Sequence, residues 1–275
     1  SRMKRAANVR DDIAPELVRD AQEKSKAMIR AGNDSRPFLD YILKNIAEAG
    51  YRNVVIVVGT QDDSIKSYYE CGRGSEEFSS LNISYVIQQI PAGRTKPLGT
   101  ADALLLALQS KPEWKGESFT VCNSDNLYSV AALRSLMKDS HANALIDYDR
   151  SALLFEQERI VQFAVIKKDE QGFLTDLIEK PLPEEIALAI DSSGRIGVSM
   201  NLFRLSYDMI YPFLEQLPLH PVRQEKELPV AVKLMAEQCP KSVWTIPRSE
   251  HVIDLTNQAD IPVVREYLKR EFPEF

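Results

Sequence analysis

A short apolar run, residues 119–122, ends abruptly in four polar residues: Asn123, Ser124, Asp125 and Asn126. In an open α/β sheet, ligands collect just beyond the carboxyl ends of the strands. A carboxylate there, flanked by amides, suits a hard cation such as Mg²⁺, which keeps several waters and shares its ligand shell with substrate phosphates. A strand followed by a polar turn that caps the next helix is the alternative interpretation.

Asp254 closes a second β-branched stretch, residues 251–254, in the same way. Two carboxylates from distant segments can share one Mg²⁺. The residue could equally cap the final helix. Asp125 and Asp254 are therefore the candidate metal ligands.

The segment 96–103 reads Lys-Pro-Leu-Gly-Thr-Ala-Asp-Ala and predicts a turn that enters a helix. Gly99 permits a close backbone approach to a flat ligand, and the helix N-terminus behind it offers free N–H groups. Gln88 precedes this turn at a strand end, and its amide can donate and accept at once, as the reading of a pyrimidine edge requires. A strand, a loop and a capped helix without a ligand remain the alternative.

Two further segments carry charges that could meet a phosphorylated sugar. In Glu179-Lys180-Pro181, Lys180 could contact a phosphate as a point charge, and Glu179 could accept hydrogen bonds from sugar hydroxyls. A surface ion pair at a strand end explains the same residues. Lys26, near a predicted helix end, would ordinarily be a solvated charge.

Hydrophobic periodicity and turn residues predict the elements that position these side chains. Residues 54–58 are five consecutive Val or Ile residues, which predicts a strand buried on both faces. Asp169-Glu170-Gln171-Gly172 predicts the turn of a β-hairpin. Helices are predicted at residues 11–31, 37–49, 65–69, 101–109, 130–138, 206–217, 228–238 and 262–271, and strands at 54–58, 83–87, 119–122, 144–148, 163–167, 173–179, 198–204, 243–246 and 251–254.

Helices that alternate with apolar strands predict an α/β fold with a mixed, mainly parallel sheet flanked by helices. Right-handed crossovers would make it Rossmann-like. After about residue 150 the β-hairpin changes the pattern, yet no low-complexity linker interrupts the chain. We therefore expect one continuous domain, residues 1–275, with halves of approximately 1–150 and 151–275.

Composition excludes several classes of protein. A net charge of −6 argues against general nucleic-acid binding, which needs a basic face. No apolar run approaches the roughly 18 residues that span a bilayer, and the basic, then acidic N-terminus is not a secretory signal. Three scattered Cys indicate a reduced, cytoplasmic setting, and three His in no ligand spacing argue against a zinc enzyme.

Together, and in this order, these segments resemble the sugar-1-phosphate nucleotidyltransferase family, the pyrophosphorylases that make NDP-sugars. Gln88 and residues 97–103 match its base-binding portion closely, and Ser124-Asp125-Asn126 departs from its G-D-N only at the first position. Glu179-Lys180-Pro181 matches its E-K-P intact. The remaining matches are Arg2 in the tail of the glycine-rich loop, Lys26 with its flanking prolines replaced, Asn201 in a sugar-contacting strand and Asp254 as the late aspartate.

The resemblance implies a nucleotide-diphospho-sugar transferase fold, with nucleotide bound by the first half and sugar phosphate by the second. It implies transfer of a nucleotidyl group from an NTP to a sugar-1-phosphate, with release of pyrophosphate. Because Gln88 suits a pyrimidine edge, the expected NTP is UTP or dTTP. Mg²⁺ would lie on Asp125 and Asp254. The implied catalytic residues are Arg2, Lys26 and Lys180, the nucleotide-binding residues Gln88, Pro97, Gly99 and Thr100, and the sugar-binding residues Glu179 and Asn201.

Most of the family's glycine-rich loop has no counterpart, since the sequence starts inside that motif. We therefore also consider a non-catalytic relative that binds nucleotide sugars as a regulator. A transferase that acts on another phosphorylated alcohol, such as phosphocholine, is a further alternative. The partners expected are an NTP and a sugar-1-phosphate, without nucleic acid or membrane, and a homo-oligomer is compatible with the sequence.

Overall fold

The computed structural model describes residues 25–60 and 63–275, which form eleven strands and ten α-helices. The strands are β1 Asn53–Gly59, β2 Asn82–Gln88, β3 Ser118–Val121, β4 Asn126–Leu127, β5 Asn143–Asp149, β6 Ala164–Lys168, β7 Leu174–Ile178, β8 Gly197–Ser199, β9 Phe203–Ser206, β10 Val243–Arg248 and β11 Ile253–Asp254. The helices are α1 Phe38–Ala49, α2 Asp63–Cys71, α3 Arg73–Glu77, α4 Thr100–Gln109, α5 Val130–Lys138, α6 Gln157–Ile160, α7 Pro183–Ala187, α8 Tyr207–Gln216, α9 Leu228–Gln238 and α10 Ile261–Glu271.

The larger sheet has the strand order β3-β9-β5-β8-β6-β7, with β10 also paired to β5. Strand β5 shows how this sheet separates two cores, because successive side chains of a strand point to opposite faces. Leu145 packs with apolar residues of α4, α8 and α9, whereas Ala144 and Ile146 pack with residues of α5. Helices therefore cover both faces, and the predicted α/β fold with a mixed sheet flanked by helices is confirmed.

The balance of strand directions differs from the expected mainly parallel sheet. Strands β5 and β10 pair in parallel, but β9 and β8 pair antiparallel with their neighbours. Strands β8 and β9 each lie between two strands that run in the opposite direction. The sheet therefore has more antiparallel than parallel pairs in the part of the chain that the structure describes.

Strands β1 and β2 form a separate two-stranded parallel sheet. The expectation that residues 54–58 are buried on both faces is wrong, since only Val58 of that run is fully buried. Among the described residues β1 has one strand partner, β2, so its other edge lacks the neighbour that would cover it. A run of Val and Ile indicates a strand but does not tell how many partners it has.

Two other predicted elements are corrected. Residues 25–31 are not α-helical: Lys26–Met28 is a single 3₁₀ turn, and the chain then extends so that the Phe38 N–H donates to the Ile29 carbonyl at 3.0 Å. Residues 11–24 of that predicted helix lie outside the described residues. The strand predicted at residues 198–204 is two strands, β8 and β9, because Asn201 adopts a left-handed φ of 57° that ends the first.

The hairpin and the cap of α1 follow the prediction. Strands β6 and β7 pair antiparallel, and the Asp169 side chain accepts the N–H groups of Gln171 and Phe173 in the connecting turn. Gly50 ends α1 with φ 112°, a conformation that glycine adopts without strain. No helix in the described ranges is both long and apolar enough to cross a membrane.

Candidate functional site

The short strands β4 and β11 bring the two candidate metal ligands together. They pair antiparallel, with Asp254 opposite Asn126, and the Leu255 N–H donates to the Asp125 carbonyl at 2.8 Å. The spacing of an antiparallel ladder then separates the Cα atoms of Asp125 and Asp254 by roughly 6 Å. Two segments about 130 residues apart in sequence thus bring the two aspartates close together at the backbone, and the charge of Asp125 is near enough to raise the pKa of Asp254.

Lys26 lies at the same place. Its Nζ donates to Asp125 Oδ2 at 2.8 Å, and the two side chains are 24% and 25% exposed. The 3₁₀ turn that carries Lys26 is held by Ala27 and Met28, which are buried in the core beside α1. An exposed solvated lysine would show neither the partner nor the buried support.

Burial raises the pKa of Asp254, and the nearby charge of Asp125 raises it further. The Thr256 hydroxyl and the Arg159 guanidinium oppose this shift. Thr256 Oγ1 donates to Asp254 Oδ1 at 2.6 Å, and Arg159 Nη2 donates to Oδ2 at 2.6 Å. The charge of Asp125 therefore acts on Asp254, and each carboxylate is paired with a cation of the protein.

The donor set fits a magnesium ion that keeps several waters. The two carboxylates supply hard oxygen ligands, and Asp125 Oδ1 accepts no hydrogen bond from a described residue. In the described ranges no three His, Cys, Asp or Glu side chains cluster as a complete metal cage. Mg²⁺ does not need such a cage, because it commonly uses one or two carboxylates together with water and substrate phosphates.

Tyr128 joins the Asp125 turn to the segment that carries Asn201. The buried Tyr128 hydroxyl donates to the Met200 carbonyl at 2.6 Å, while the Asn123 N–H donates to the same hydroxyl at 3.4 Å. Asn201 follows directly, in the left-handed conformation, with its side chain half-buried. The predicted sugar-contacting residue is thus linked through Tyr128 to the turn that carries Asp125.

Gln88 and the loop before α4 form the predicted base-binding portion. The Gln88 amide nitrogen donates to the Gly99 carbonyl at 2.9 Å and to Asp102 Oδ2 at 2.8 Å. Because both partners are acceptors, the NH₂ group of the amide must face them, and Oε1 is left to accept from a ligand. The Gly99 N–H donates to no described acceptor, so an acceptor and a donor remain for the edge of a base.

The segment before α9 supports the loop that precedes α4 through two hydrogen bonds. The Lys226 carbonyl accepts the Ala101 N–H at 3.0 Å, and the Thr100 hydroxyl accepts the Leu228 N–H at 3.0 Å. Gly99 has φ 112°, and a Cβ atom there would lie 2.5 Å from the Lys226 carbonyl oxygen. Only glycine fits this position.

We expect Gly99→Ala to lower the free energy of unfolding by about 2–3 kcal/mol, because the new methyl adds a backbone clash to the strain of a positive φ. Gly93→Ala is the matched control, since Gly93 also has a positive φ (80°) but open space around its Cβ position. It should lose only about 1 kcal/mol. Urea denaturation of both variants measures the difference, and equal losses would contradict the close approach to Lys226.

Glu179 and Lys180 follow the end of β7, and Glu179 lies near Arg223 and Glu227. Burial raises the pKa of Glu179, and the charge of Glu227 raises it further, whereas Arg223 and Lys180 oppose the shift. Lys180 is exposed, with a left-handed φ of 51°. Within the described residues, no hydrogen bond or ion pair links Lys180 to Asp125 or Asp254.

Two other observations bear on the predicted residues. Arg2 lies outside the described residues. A cavity of 580 Å³ is lined by residues of the segments 149–160 and 193–196 and by none of the predicted site residues. The predicted site residues therefore do not form this cavity, although Phe155, which lines it, packs against Arg159.

Arg159 and His251 were missed by the sequence analysis. Neither was assigned a role, although His251 begins the stretch that Asp254 closes. Arg159 reaches the site by contacting Asp254, 95 residues away, and His251 Nδ1 accepts the Leu154 N–H at 3.1 Å. Asp102 was also missed, although its place three residues after Gly99 at the start of a helix could have marked it as a partner for Gln88.

His251 should make stability depend on pH. Burial lowers its pKa below the ordinary 6.5, and the charge of Arg159 lowers it further. The unfolded chain then binds this proton more readily than the folded one, so the free energy of unfolding should fall as pH drops below about 6.5. His251→Asn, whose Oδ1 can still accept from Leu154, should flatten that slope in urea denaturation between pH 7 and 5. An unchanged slope would contradict the assignment.

Comparison with known proteins finds a match to one protein family. A family model described as "Nucleotidyl transferase" matches residues 21–238. A glucose-1-phosphate adenylyltransferase of Corynebacterium efficiens is 22% identical over 160 residues, which are 58% of this chain and 38% of that protein. The bifunctional protein GlmU of Staphylococcus saprophyticus is 23% identical over 203 residues, 74% of this chain and 40% of that one. The chain spans less than half the length of these relatives.

Solved structures share the fold. A UDP-glucose pyrophosphorylase complexed with UDP-glucose superposes with a TM-score of 0.66 at 18% identity, covering 90% of both chains. A UTP-bound UGPase from Acinetobacter baumannii gives a TM-score of 0.68 at 17% identity, covering 92% of this chain and 89% of that one.

Proposed function

We propose that this chain, which belongs to the nucleotidyl transferase family, transfers a nucleotidyl group from an NTP to a sugar-1-phosphate and releases pyrophosphate. The observation that carries the proposal is the ion pair between Lys26 and Asp125 at 2.8 Å, one residue from the bridge that brings in Asp254. A cation and two carboxylates from three distant segments meet where the strands end. This composition suits two polyanionic substrates that must be held together through a divalent ion.

The chemistry needs charge neutralisation more than proton transfer. The phosphate oxygen of the sugar phosphate is already anionic near neutral pH, so it can attack the α-phosphorus in line without a general base, and the pyrophosphate leaves with the bonding electrons. Bound Mg²⁺ would neutralise phosphate oxygens and the charge that develops on the leaving group. Asp125 and Asp254 are the residues that would hold it.

Lys26, Glu179 and Asn201 have proposed roles that their positions support, and the proposed roles of Lys180 and Arg2 rest on the resemblance of their motifs. Lys26 Nζ donates to Asp125 and is therefore held at the proposed metal site. From there it would contact the α-phosphate and offset the negative charge of the attacking and leaving oxygens. Glu179, whose raised pKa reflects its burial, and Asn201, beside the Asp125 turn, would accept and donate hydrogen bonds to the sugar hydroxyls. Exposed Lys180 would meet the sugar phosphate, and Arg2 the triphosphate.

The nucleotide is proposed to be UTP or dTTP. Gln88 Oε1 would accept the N3–H of the pyrimidine, and the Gly99 N–H would donate to a neighbouring carbonyl of the same ring. Pro97 and Thr100 shape the loop that presents this pair, since Thr100 Oγ1 accepts the Leu228 N–H. Adenine also offers an adjacent donor and acceptor, so the comparison of UTP and dTTP with ATP is the decisive one.

The test is pyrophosphate release by the full chain with Mg²⁺, a panel of NTPs and a panel of sugar-1-phosphates, with phosphocholine as a second acceptor class. Release that requires both an NTP and a sugar-1-phosphate supports the proposal. Calorimetry with the same nucleotides and with NDP-sugars is run in parallel. Binding without turnover would instead identify a regulatory nucleotide-sugar-binding protein, and turnover with phosphocholine alone would replace the sugar by another phosphorylated alcohol.

A further inference from the structure

The Arg159 guanidinium lies between two carboxylates and donates to both, with Nη2 also 3.5 Å from Asp260 Oδ2. Nη2 donates to Asp254 Oδ2 at 2.6 Å, and Nη1 donates to Asp260 Oδ1 at 2.7 Å. Arg159 is carried by the short helix α6, and its guanidinium carbon lies 4.7 Å from the centroid of the Phe155 ring. The side chain is therefore held in place by a ring and two acids, with 24% of its surface exposed.

The two carboxylates are not equivalent. Asp260 stabilises its own loop, because its Oδ2 accepts the N–H groups of Thr256 and Asn257, each at 2.8 Å. Asp254 belongs to the candidate metal site, beside Asp125. Because Nη1 stays with Asp260, the guanidinium can give up Asp254 without losing its anchor.

A divalent ion and the guanidinium compete for the same oxygen. Mg²⁺ must approach a carboxylate oxygen to about 2.1 Å, and a positive group already 2.6 Å from Asp254 Oδ2 both blocks and repels it. Lys26 does the same at Asp125 Oδ2. Each of the two acids therefore has a cation of the protein at an oxygen that a metal could use.

We propose that Arg159 is a positioning residue that holds Asp254 in the metal-free protein and yields it to a divalent cation, while its contact with Asp260 remains. This inference rests on the proposed role of Asp125 and Asp254 as metal ligands. The guanidinium occupies Asp254 Oδ2 until the metal arrives, and its freed Nη2 would then lie beside the metal site.

The test measures Mn²⁺ binding to the nucleotide-free full chain by electron paramagnetic resonance of free Mn²⁺. Arg159→Gln removes the competing charge but keeps a side chain that can donate to Asp260, and it should tighten Mn²⁺ binding about fivefold or more. The matched control is Arg195→Gln, because Arg195 also bridges two carboxylates, Asp147 and Asp149, but lies outside the candidate site. Its Mn²⁺ affinity should stay within about twofold of wild type.

Unchanged or weaker Mn²⁺ binding in a folded Arg159→Gln protein overturns the proposal, because that result is expected if Arg159 only stabilises the fold. Asp260→Asn provides a second variant with the opposite expectation: it leaves the guanidinium to Asp254 alone, so Mn²⁺ binding should weaken, and tighter or unchanged binding overturns the proposal. Asp125→Asn distinguishes a failure of the proposed metal site from a failure of the proposed role of Arg159. If it leaves Mn²⁺ binding intact, the metal site itself is wrong; if it abolishes binding while Arg159→Gln has no effect, only the role of Arg159 fails.

Discussion

Replacing Asp125 by Asn should lower kcat/KM for nucleotidyl transfer about a hundredfold or more. The substitution keeps the shape of the side chain but removes the charge that pairs with Lys26 and that would hold the metal beside Asp254. A well-placed charge contact of this kind is worth on the order of 3 kcal/mol in the transition state. Steady-state pyrophosphate release at saturating Mg²⁺ measures the loss.

Stability should hardly change in the same variant, because the Lys26–Asp125 pair is a quarter exposed and such pairs contribute less than about 1 kcal/mol. Asp139→Asn is the matched control: Asp139 also accepts a close hydrogen bond, from the His141 N–H at 2.8 Å, but it lies after α5, outside the site. Its activity should stay within about twofold of wild type. Activity within about threefold of wild type in Asp125→Asn would refute the metal-ligand role.

The largest effect on stability is expected from Asp40→Ala, with a loss of about 3 kcal/mol in the free energy of unfolding. Asp40 is fully buried in α1 and joins it to α2: the Tyr69 hydroxyl donates to Oδ1 at 2.6 Å, and the Tyr68 hydroxyl donates to Oδ2 at 2.9 Å. Arg36 Nη1 completes the group at 3.4 Å. Alanine would leave a buried hydroxyl and a buried guanidinium without this acceptor.

Urea denaturation checks the expectation against two other variants. Asp40→Asn keeps one carbonyl acceptor and should lose roughly 1–2 kcal/mol. Glu76→Ala, an exposed position in the neighbouring helix α3, should change stability by less than about 0.5 kcal/mol. A loss below about 1 kcal/mol in Asp40→Ala would show that the tyrosines find other partners.

Most helices and strands were predictable because their signals are local. Periodicity and a C-terminal glycine placed α1, and a polar turn placed the β6–β7 hairpin, each within a residue or two. The failures are also instructive. Residues 54–58 have the composition of a doubly covered strand, but coverage depends on neighbours supplied by distant segments. Asn201 breaks the strand predicted at 198–204 through a single left-handed residue that composition does not reveal.

The candidate site was predictable in part. Asp125 and Asp254 were predicted to share one cation and Lys26 to be a catalytic residue; in the structure Lys26 pairs with Asp125, and Asp254 lies on the neighbouring strand. The partners of Gln88 were not expected: its NH₂ group is used by Gly99 and Asp102, which limits what the amide can offer a ligand. Lys180 carries no comparable contact to the aspartates in the described part of the chain, so its role stays a prediction.

By itself, the sequence determined which residue types stand at the ends of strands and in which order, and this order indicated the family. Local backbone preferences and hydrophobic periodicity suffice for that much. Only the tertiary structure decided which charges meet. Arg159 is 95 residues from Asp254, and Lys26 is 99 residues from Asp125. Ion pairs over such separations form only where the tertiary structure brings distant segments together, and the packing of the whole core determines which segments meet.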